Sequence, residues 1–328
     1  MPSEFELIRK YFERAPREIR PGDRRTRRVA LGIGDDAALL RPSAGMELAV
    51  STDLLLEGTH FRAGADARKL GHKALAVNLS DMAAMGAAPR WATLALALPA
   101  ANEAWLAGFA GGFFALADRF GVELIGGDTT RATPQGAEPG AIVICITILG
   151  EVPRSLALFR AGAQPGDDIW VSGELGGAAL ALTQPGNAAM EKRLEEPEPR
   201  VELGERLRGL ASAAIDVSDG FAQDLGHILE RSGAGAVVEY ASLPRPAEVK
   251  NIADENLQAG LVLCGGDDYE LVFAAPQARR GELAALSAEL KLPLSRVGAI
   301  QGADARLQVL DGQGKPMRVG HGFDHFAP

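Results

Sequence analysis

The stretch VALGIGDDAALL, residues 29–40, constrains the fold most, because a turn cluster stands directly behind it. Gly32-Ile33-Gly34-Asp35-Asp36-Ala37 fits the relaxed G-x-G-x-x-G/A pattern of a dinucleotide-binding loop, after the strand-like Val29-Ala30-Leu31. Such a loop must open a helix that crosses over to a parallel strand, which takes about a dozen residues or more. Here residues 37–40 run straight into Arg41-Pro42-Ser43-Ala44-Gly45, a turn cluster, and the strand-like MELAVSTD begins at Met46. There is no room for the helix. Asp53 imitates the acidic residue that holds a ribose in dinucleotide folds, but without the helix the match is coincidental. The spacing predicts strand, acidic kink, strand, turn and strand in an antiparallel arrangement, and excludes a doubly wound dinucleotide fold.

Further along, residues 4–14 read as an amphipathic helix with Phe5, Ile8 and Phe12 on one face. RPGDRRTRR, residues 20–28, is a basic loop broken by proline and glycine. A helix is predicted over 67–85, ended by Gly86 and Pro89, then a buried strand over 91–98 and a helix over 103–120. Strands are expected next at 122–125 and 141–149. Residues 153–166 are turn-rich and read as a joint, after which DIWVSG starts afresh. The second half mixes short elements at 214–217, 219–232, 236–240 and 271–274, and the charged, proline-rich segment 184–199 reads as a surface loop beside a short helix. The pattern predicts two α/β (α+β) domains, 1–150 and 151–328, both with mixed or largely antiparallel sheets. A length of 328 residues agrees with two domains of about 150 residues each.

The formal net charge of -9 argues against a nucleic-acid binder, since phosphate backbones call for dense positive charge. It leaves room for a small phosphorylated ligand, because bound metal can neutralise both partners. Cys145 and Cys264 lie in apolar runs and form no CxxC pair, which fits buried thiols in a reducing compartment. The charged N-terminal stretch does not read as a signal peptide, and no run reaches the roughly 18 apolar residues of a membrane helix. The expectation is a cytoplasmic protein without membrane contact.

One theme recurs: aspartate at the end of an apolar run, beside glycine or a small hydroxyl residue. The instances are Gly34-Asp35-Asp36, Ser51-Thr52-Asp53, Gly126-Gly127-Asp128-Thr129-Thr130, Asp216-Val217-Ser218-Asp219-Gly220 and Gly265-Gly266-Asp267-Asp268. Asp81 joins them from inside a helix, on a face otherwise apolar or small, where an unpaired charge is costly. A turn-forming or capping role explains any single member, but explains the whole set poorly. Carboxylates that converge without matching cations repel one another. Magnesium resolves that, through a few carboxylates, waters and substrate phosphates. No G-x-x-x-x-G-K-[ST] loop and no kinase H-R-D or D-F-G signature is present. ATP would therefore be handled by a metal-rich route, with Lys73, Arg131 and Arg160 as isolated cationic helpers. The histidines lack metal-ligand spacing, and no nucleophile–base pair suggests covalent catalysis.

Taken in order, LGIGDDAALL, AVSTDLLLEGTHF, HKALAVNLSDMAAMGAAPRW, LIGGDTTR, AIDVSDGFAQDLGHI, CGGDDYELVF and GFDHF resemble the bacterial thiamine-monophosphate kinase family over essentially the whole chain. Several blocks are shared with the wider aminoimidazole ribonucleotide synthetase superfamily. Glu57-Gly58-Thr59-His60-Phe61 and the GFDHF ending are what point to the thiamine enzymes. The resemblance implies a homodimer whose N-terminal sheets pair into a shared β-barrel, with ATP near that interface. It implies transfer of the γ-phosphoryl group of ATP to thiamine monophosphate, assisted by several Mg2+ ions and without a general acid or base. By motif, Asp36, Ser51, Thr52, Asp53, Asp81, Asp128, Asp216 and Asp219 would hold magnesium; Gly127, Asp128, Arg160 and Ser218 would contact ATP; His60, Asp267 and Phe323 would face the thiamine substrate. Asp267 stands where a glutamate is common and Phe323 where a tyrosine can occur. Two other readings stay open: another ATP-using member of the superfamily, of the ribonucleotide cyclo-ligase type, and a non-catalytic magnesium–nucleotide binding protein.

Overall fold

The computed structural model describes residues 4–14, 28–133, 140–303 and 306–323. Residues 20–27 of the basic RPGDRRTRR loop lie outside the described residues, as does GFDHF beyond Phe323. The elements are α1 (Glu4–Tyr11), β1 (Val29–Leu31), β2 (Leu39–Leu40), β3 (Met46–Leu56), α2 (Ala67–Ala84), β4 (Ala88–Leu98), α3 (Glu103–Phe120), β5 (Glu123–Arg131) and β6 (Val143–Pro153). They continue with β7 (Asp168–Ser172), α4 (Gly177–Thr183), α5 (Ala188–Glu195), α6 (Val201–Leu207), β8 (Ala213–Asp216), α7 (Phe221–Ser232) and β9 (Gly235–Glu239). The last are α8 (Ala247–Lys250), α9 (Glu255–Cys264), β10 (Leu271–Ala275), α10 (Arg280–Leu290), β11 (Leu294–Gln301) and β12 (Leu307–Leu310). The chain divides into two units, Met1–Leu79 with Ala88–Arg154, and Ser80–Ala87 with Ser155–Pro328.

In the first unit, period-two alternation builds a sheet in the order β3-β6-β4-β5. Ile144, Ile146 and Ile148 of β6 are buried, while Val143, Cys145, Thr147 and Leu149 between them are half-exposed. Leu75 and Leu79 of α2 and Leu106, Phe109 and Phe113 of α3 are likewise buried. Those helices meet where neither has a side chain in the way. A Cβ on Gly71 would lie 2.1 Å from the Phe109 carbonyl oxygen, and one on Gly112 would lie 1.8 Å from that of Arg68. β4 and β5 are parallel, joined through α3, and the other pairs are antiparallel. β1 and β2 form a separate antiparallel ribbon, with Leu31 opposite Leu39, and no helix stands between β1 and β3. α1 is fastened to α3 from outside. Lys10 and Tyr11 both bond Glu103, and Arg14 grips Asp118 at 2.8 and 3.0 Å.

The second unit holds a six-stranded sheet in the order β12-β9-β11-β7-β10-β8, antiparallel except for the β12–β9 pair. Its interior strands β7 and β10 are buried along their whole length; β10 reads as a continuous apolar run, and β7 holds Ile169-Trp170-Val171 between the buried Asp168 and Ser172. A mixed α/β architecture is thus present in both units. Of the expected boundaries that differ, two bear on the candidate site residues. The strand expected at 122–125 extends to Arg131, so Gly126-Gly127-Asp128 lies within β5 rather than beyond its end. Glycine serves here for close approach: at φ 154°, a Cβ on Gly127 would lie 1.8 Å from the Leu94 carbonyl oxygen on β4. Likewise Asp53 lies inside the long strand β3, opposite Ile146, not at a strand end.

Candidate functional site

The expected site residues fall into two groups, one in each unit. In the first unit a cavity of about 860 Å³ is lined by the Gly34-Asp35-Asp36 turn, by Gly127 and Asp128 of β5, by Arg9 of α1 and by Phe12 just after it. The cavity thus brings together Asp36, Gly127 and Asp128, three residues from two segments far apart in sequence. Asp35 Oδ1 accepts the Asp36 amide at 2.9 Å, so one of its oxygens closes the turn while Asp36 stays exposed. Arg9 supplies positive charge to a wall whose other charged members, Glu13, Asp35, Asp36 and Asp128, are carboxylates; the sequence motifs give no hint of it. Lys73, expected as a helper, is buried in α2, and Arg131 is exposed at the end of β5.

Strand geometry separates the Ser51-Thr52-Asp53 run. Successive side chains point to opposite faces, so Ser51 and Asp53 share the face of buried Ala49 and Leu55, while Thr52 lies with exposed Val50 and Leu54. Thr52 Oγ1 is hydrogen-bonded across the sheet to Thr147 Oγ1 at 2.8 Å. His60 folds back after β3, and its Nδ1 accepts the Leu56 amide at 3.0 Å. That bond leaves Nε2 carrying the proton in the neutral ring.

The second unit gathers the remainder around the start of α7. Asp216 ends β8, is buried, and accepts a hydrogen bond from Ser80 Oγ at 2.7 Å, beside Asp81 on the same helix. The turn 217–220 behind it is tied to the 265–269 loop, for the Asp267 amide donates to Ser218 O at 2.9 Å and that of Tyr269 to Val217 O at 2.8 Å. The C-terminal segment joins them through the Phe323 amide, which donates to Asp219 O at 2.9 Å. Ser218, Asp219, Asp267 and Phe323 therefore stand in one cluster. Asp267 and Tyr269 both have left-handed backbone, φ 66° and 49°, and Tyr269 Oη donates to Asp267 Oδ1 at 2.9 Å. Strain of this kind collects at functional sites. Arg160 is exposed on a separate loop, where its carbonyl accepts Ser232 Oγ at 3.3 Å.

Motif reasoning misses Asp224, although it is central to this cluster. Burial pushes its carboxyl up to about 6, with the Asp219 charge adding to the shift and amide donors from the 218–220 turn opposing it. The only signal in the sequence is an acidic residue in the first turn of a helix that opens behind an Asp-rich loop. Among the described residues, no three His, Cys, Asp or Glu side chains converge closely enough to form a metal site by themselves.

Comparison with known proteins agrees along the length of the chain. The family described as AIR synthase related protein, N-terminal domain, matches residues 34–152, and the corresponding C-terminal domain matches residues 164–309. The thiamine-monophosphate kinase of Salmonella typhimurium is 41% identical over 340 aligned residues, covering 99% of this chain and 98% of that protein. The crystal structure of thiamine-monophosphate kinase from Stenotrophomonas maltophilia K279a superimposes with a TM-score of 0.80 at 45% identity, covering 88% of this chain and 92% of that one. AaThiL complexed with AMPPCP and TMP superimposes with a TM-score of 0.74 at 27% identity, covering 87% and 89%.

Proposed function

The chain belongs to the thiamine-monophosphate kinases of the AIR synthase related family, and on that premise we propose how its residues divide the work. It is an enzyme that phosphorylates thiamine monophosphate at the expense of ATP, giving thiamine diphosphate and ADP. The observation that carries this reading is the 41% identity spanning 99% of the chain.

The acceptor is a phosphate oxygen, already ionised near neutral pH, so the reaction needs no strong general base. What it needs is in-line positioning and neutralisation of two highly charged phosphates. The oxygen-only donor set fits magnesium, which binds through a few carboxylates and completes its shell with waters and substrate phosphates. We assign Asp36, Ser51, Asp53 and Asp128 in the first unit, and Asp81, Asp216 and Asp219 in the second, to several Mg2+ ions. When bound, these neutralise phosphate charge. Thr52, whose hydroxyl is turned to the other sheet face, is the member of the expected set that the fold supports least. Gly127, Asp128, Arg160 and Ser218 are assigned to ATP, and the cavity beside Asp36 is the place for it in the first unit. His60, Asp267 and Phe323 are assigned to the thiamine end, where a carboxylate and an aromatic face suit a cationic heteroaromatic ring.

The homodimer belongs to this reading as well. Leu48, Val50 and Leu54 are exposed on one face of β3, an edge strand of the first sheet. An apolar face on a long edge invites pairing, and a second copy of the sheet would close a barrel over it. We assign residues 1–150 to an N-terminal ATP/metal-binding and dimerisation domain and 151–328 to a C-terminal α/β domain, which adds Arg160, Asp216, Ser218 and Asp219 to the ATP and metal set. No helix among the described residues is long and apolar enough to cross a membrane, and a cytoplasmic location is part of the proposal.

Asp81→Asn and Asp219→Asn test the metal assignment. Each is expected to lower kcat by about 10² or more, the scale of losing an electrostatic contact made in the transition state, while the melting temperature stays near wild type. Near-normal kcat at saturating magnesium in both variants would remove these residues from the metal site.

A further inference from the structure

Two side chains in the first turn of α7 have no part in the roles assigned above. Asp224 is only 2% exposed and turns back past the start of its own helix. Its Oδ2 accepts the amides of Ser218 at 3.0 Å, Asp219 at 3.1 Å and Gly220 at 3.1 Å. Gln223, beside it, donates from Nε2 to the Phe323 carbonyl at 3.0 Å and reaches Asp219 Oδ2 at 3.4 Å.

An ordinary N-cap stands ahead of its helix and accepts amides from the first turn. Gly220 occupies that position in α7 and brings no side chain. Asp224 works the other way, gathering amides of the turn before the helix. The consequence comes from the trans peptide plane, in which N–H and C=O point in opposite directions. The Asp219 and Gly220 amides lie in the same planes as the Ser218 and Asp219 carbonyls. Held inward by Asp224, these planes aim their carbonyls away from it. Those two carbonyls are the ones that accept the Asp267 and Phe323 amides, each at 2.9 Å. The tail also has little room to shift: a Cβ on Gly322 would lie 2.5 Å from Asp219 O and 2.8 Å from Gln223 Oε1.

We propose that Gln223 and Asp224 are positioning residues for the acceptor half of the reaction. Asp224 sets the Ser218 and Asp219 peptide planes and, through them, the placement of Asp267 and Phe323; Gln223 docks the Phe323 segment directly. The proposal rests on the assignment of Asp267 and Phe323 to the thiamine substrate.

The test compares four variants by steady-state kinetics, varying ATP and thiamine monophosphate separately, by melting temperature, and by amide hydrogen exchange over residues 319–323. Gln223→Met keeps the side-chain length and removes the donor. Asp224→Ala removes the acceptor, and Asp224→Asn leaves one oxygen for the three amides. Asp254→Ala is the control, because Asp254 caps a different helix, α9, by accepting the Asn256 and Leu257 amides. Gln223→Met is expected to raise KM for thiamine monophosphate about tenfold with KM for ATP little changed. Asp224→Ala should lower kcat/KM for thiamine monophosphate about 10²-fold, as a misplaced positioning group does, with Asp224→Asn recovering most of it. Exchange of the tail should quicken in Gln223→Met and Asp224→Ala and not in Asp254→Ala, whose melting temperature alone falls. Should Asp224→Ala fail to fold, Gln223→Met and Asp224→Asn decide the matter. Unchanged tail exchange in the folded variants overturns the positioning role. Faster exchange with no change in KM for thiamine monophosphate overturns instead the assignment of Asp267 and Phe323 to that substrate.

Discussion

Asp268 caps a helix to which it does not belong. Gly176 begins α4 in left-handed conformation and offers no side chain, and Asp268 Oδ2 accepts its amide at 2.8 Å. Burial raises the Asp268 carboxyl to about 8 from an ordinary value of 3.8, the Gly176 amide opposing the shift and Glu270 adding to it. The native chain therefore keeps a proton that the unfolded chain has released between those two values. Stability falls as pH rises through this window and levels off above it. Asp268→Asn mimics the protonated form. Its melting temperature should already exceed wild type near pH 5, and the gap should widen toward about pH 8. A difference that stays constant across that range would contradict the raised pKa. Sequence reading finds the Gly-Gly-Asp-Asp block but cannot assign its members. Asp267 and Asp268 are neighbours in sequence, yet one turns to Tyr269 and the other to α4. Asp224 is invisible for a related reason, since a carboxylate in a first helical turn ordinarily faces solvent.

Among the elements, α3 is fully legible because both its ends carry local signals. Asn102 accepts the Trp105 amide at 3.1 Å, and Gly121 closes the helix in left-handed conformation at φ 70°. Asn102→Ala should cost about 1 kcal/mol of stability, read by urea denaturation, with kcat and both KM values unchanged. No loss of stability would mean that packing on α1 and α2 alone sets the helix start. β5 is legible only in its first half. Gly126-Gly127 has the composition of a turn, but the reason for glycine is the nearness of the Leu94 carbonyl, a tertiary contact that leaves no local trace. The Ser51-Thr52-Asp53 run shows the same limit from the other side. Once β3 is known to pass through it, the two faces of the strand part its side chains.

Over the whole chain, the aspartate motifs can be read as one set from sequence, because the same pattern repeats from end to end. Their division between two units cannot, because it depends on which strands pair. The open face of β3 bears on assembly. Val50 is 58% exposed and Leu54 55%, both on one side of the strand. Sedimentation velocity should show a dimer for the wild type and a monomer for the Val50→Lys, Leu54→Lys double variant; a monomeric wild type would contradict the paired sheet. All of these assignments serve phosphoryl transfer from ATP to the phosphate of thiamine monophosphate, which phosphorus-31 NMR of the wild-type reaction with magnesium reads bond by bond. The paired resonances of thiamine diphosphate should grow in step with those of ADP, and both should grow about 10²-fold or more slower with the Asp219→Asn variant. Release of inorganic phosphate with thiamine monophosphate left unchanged would contradict the transfer.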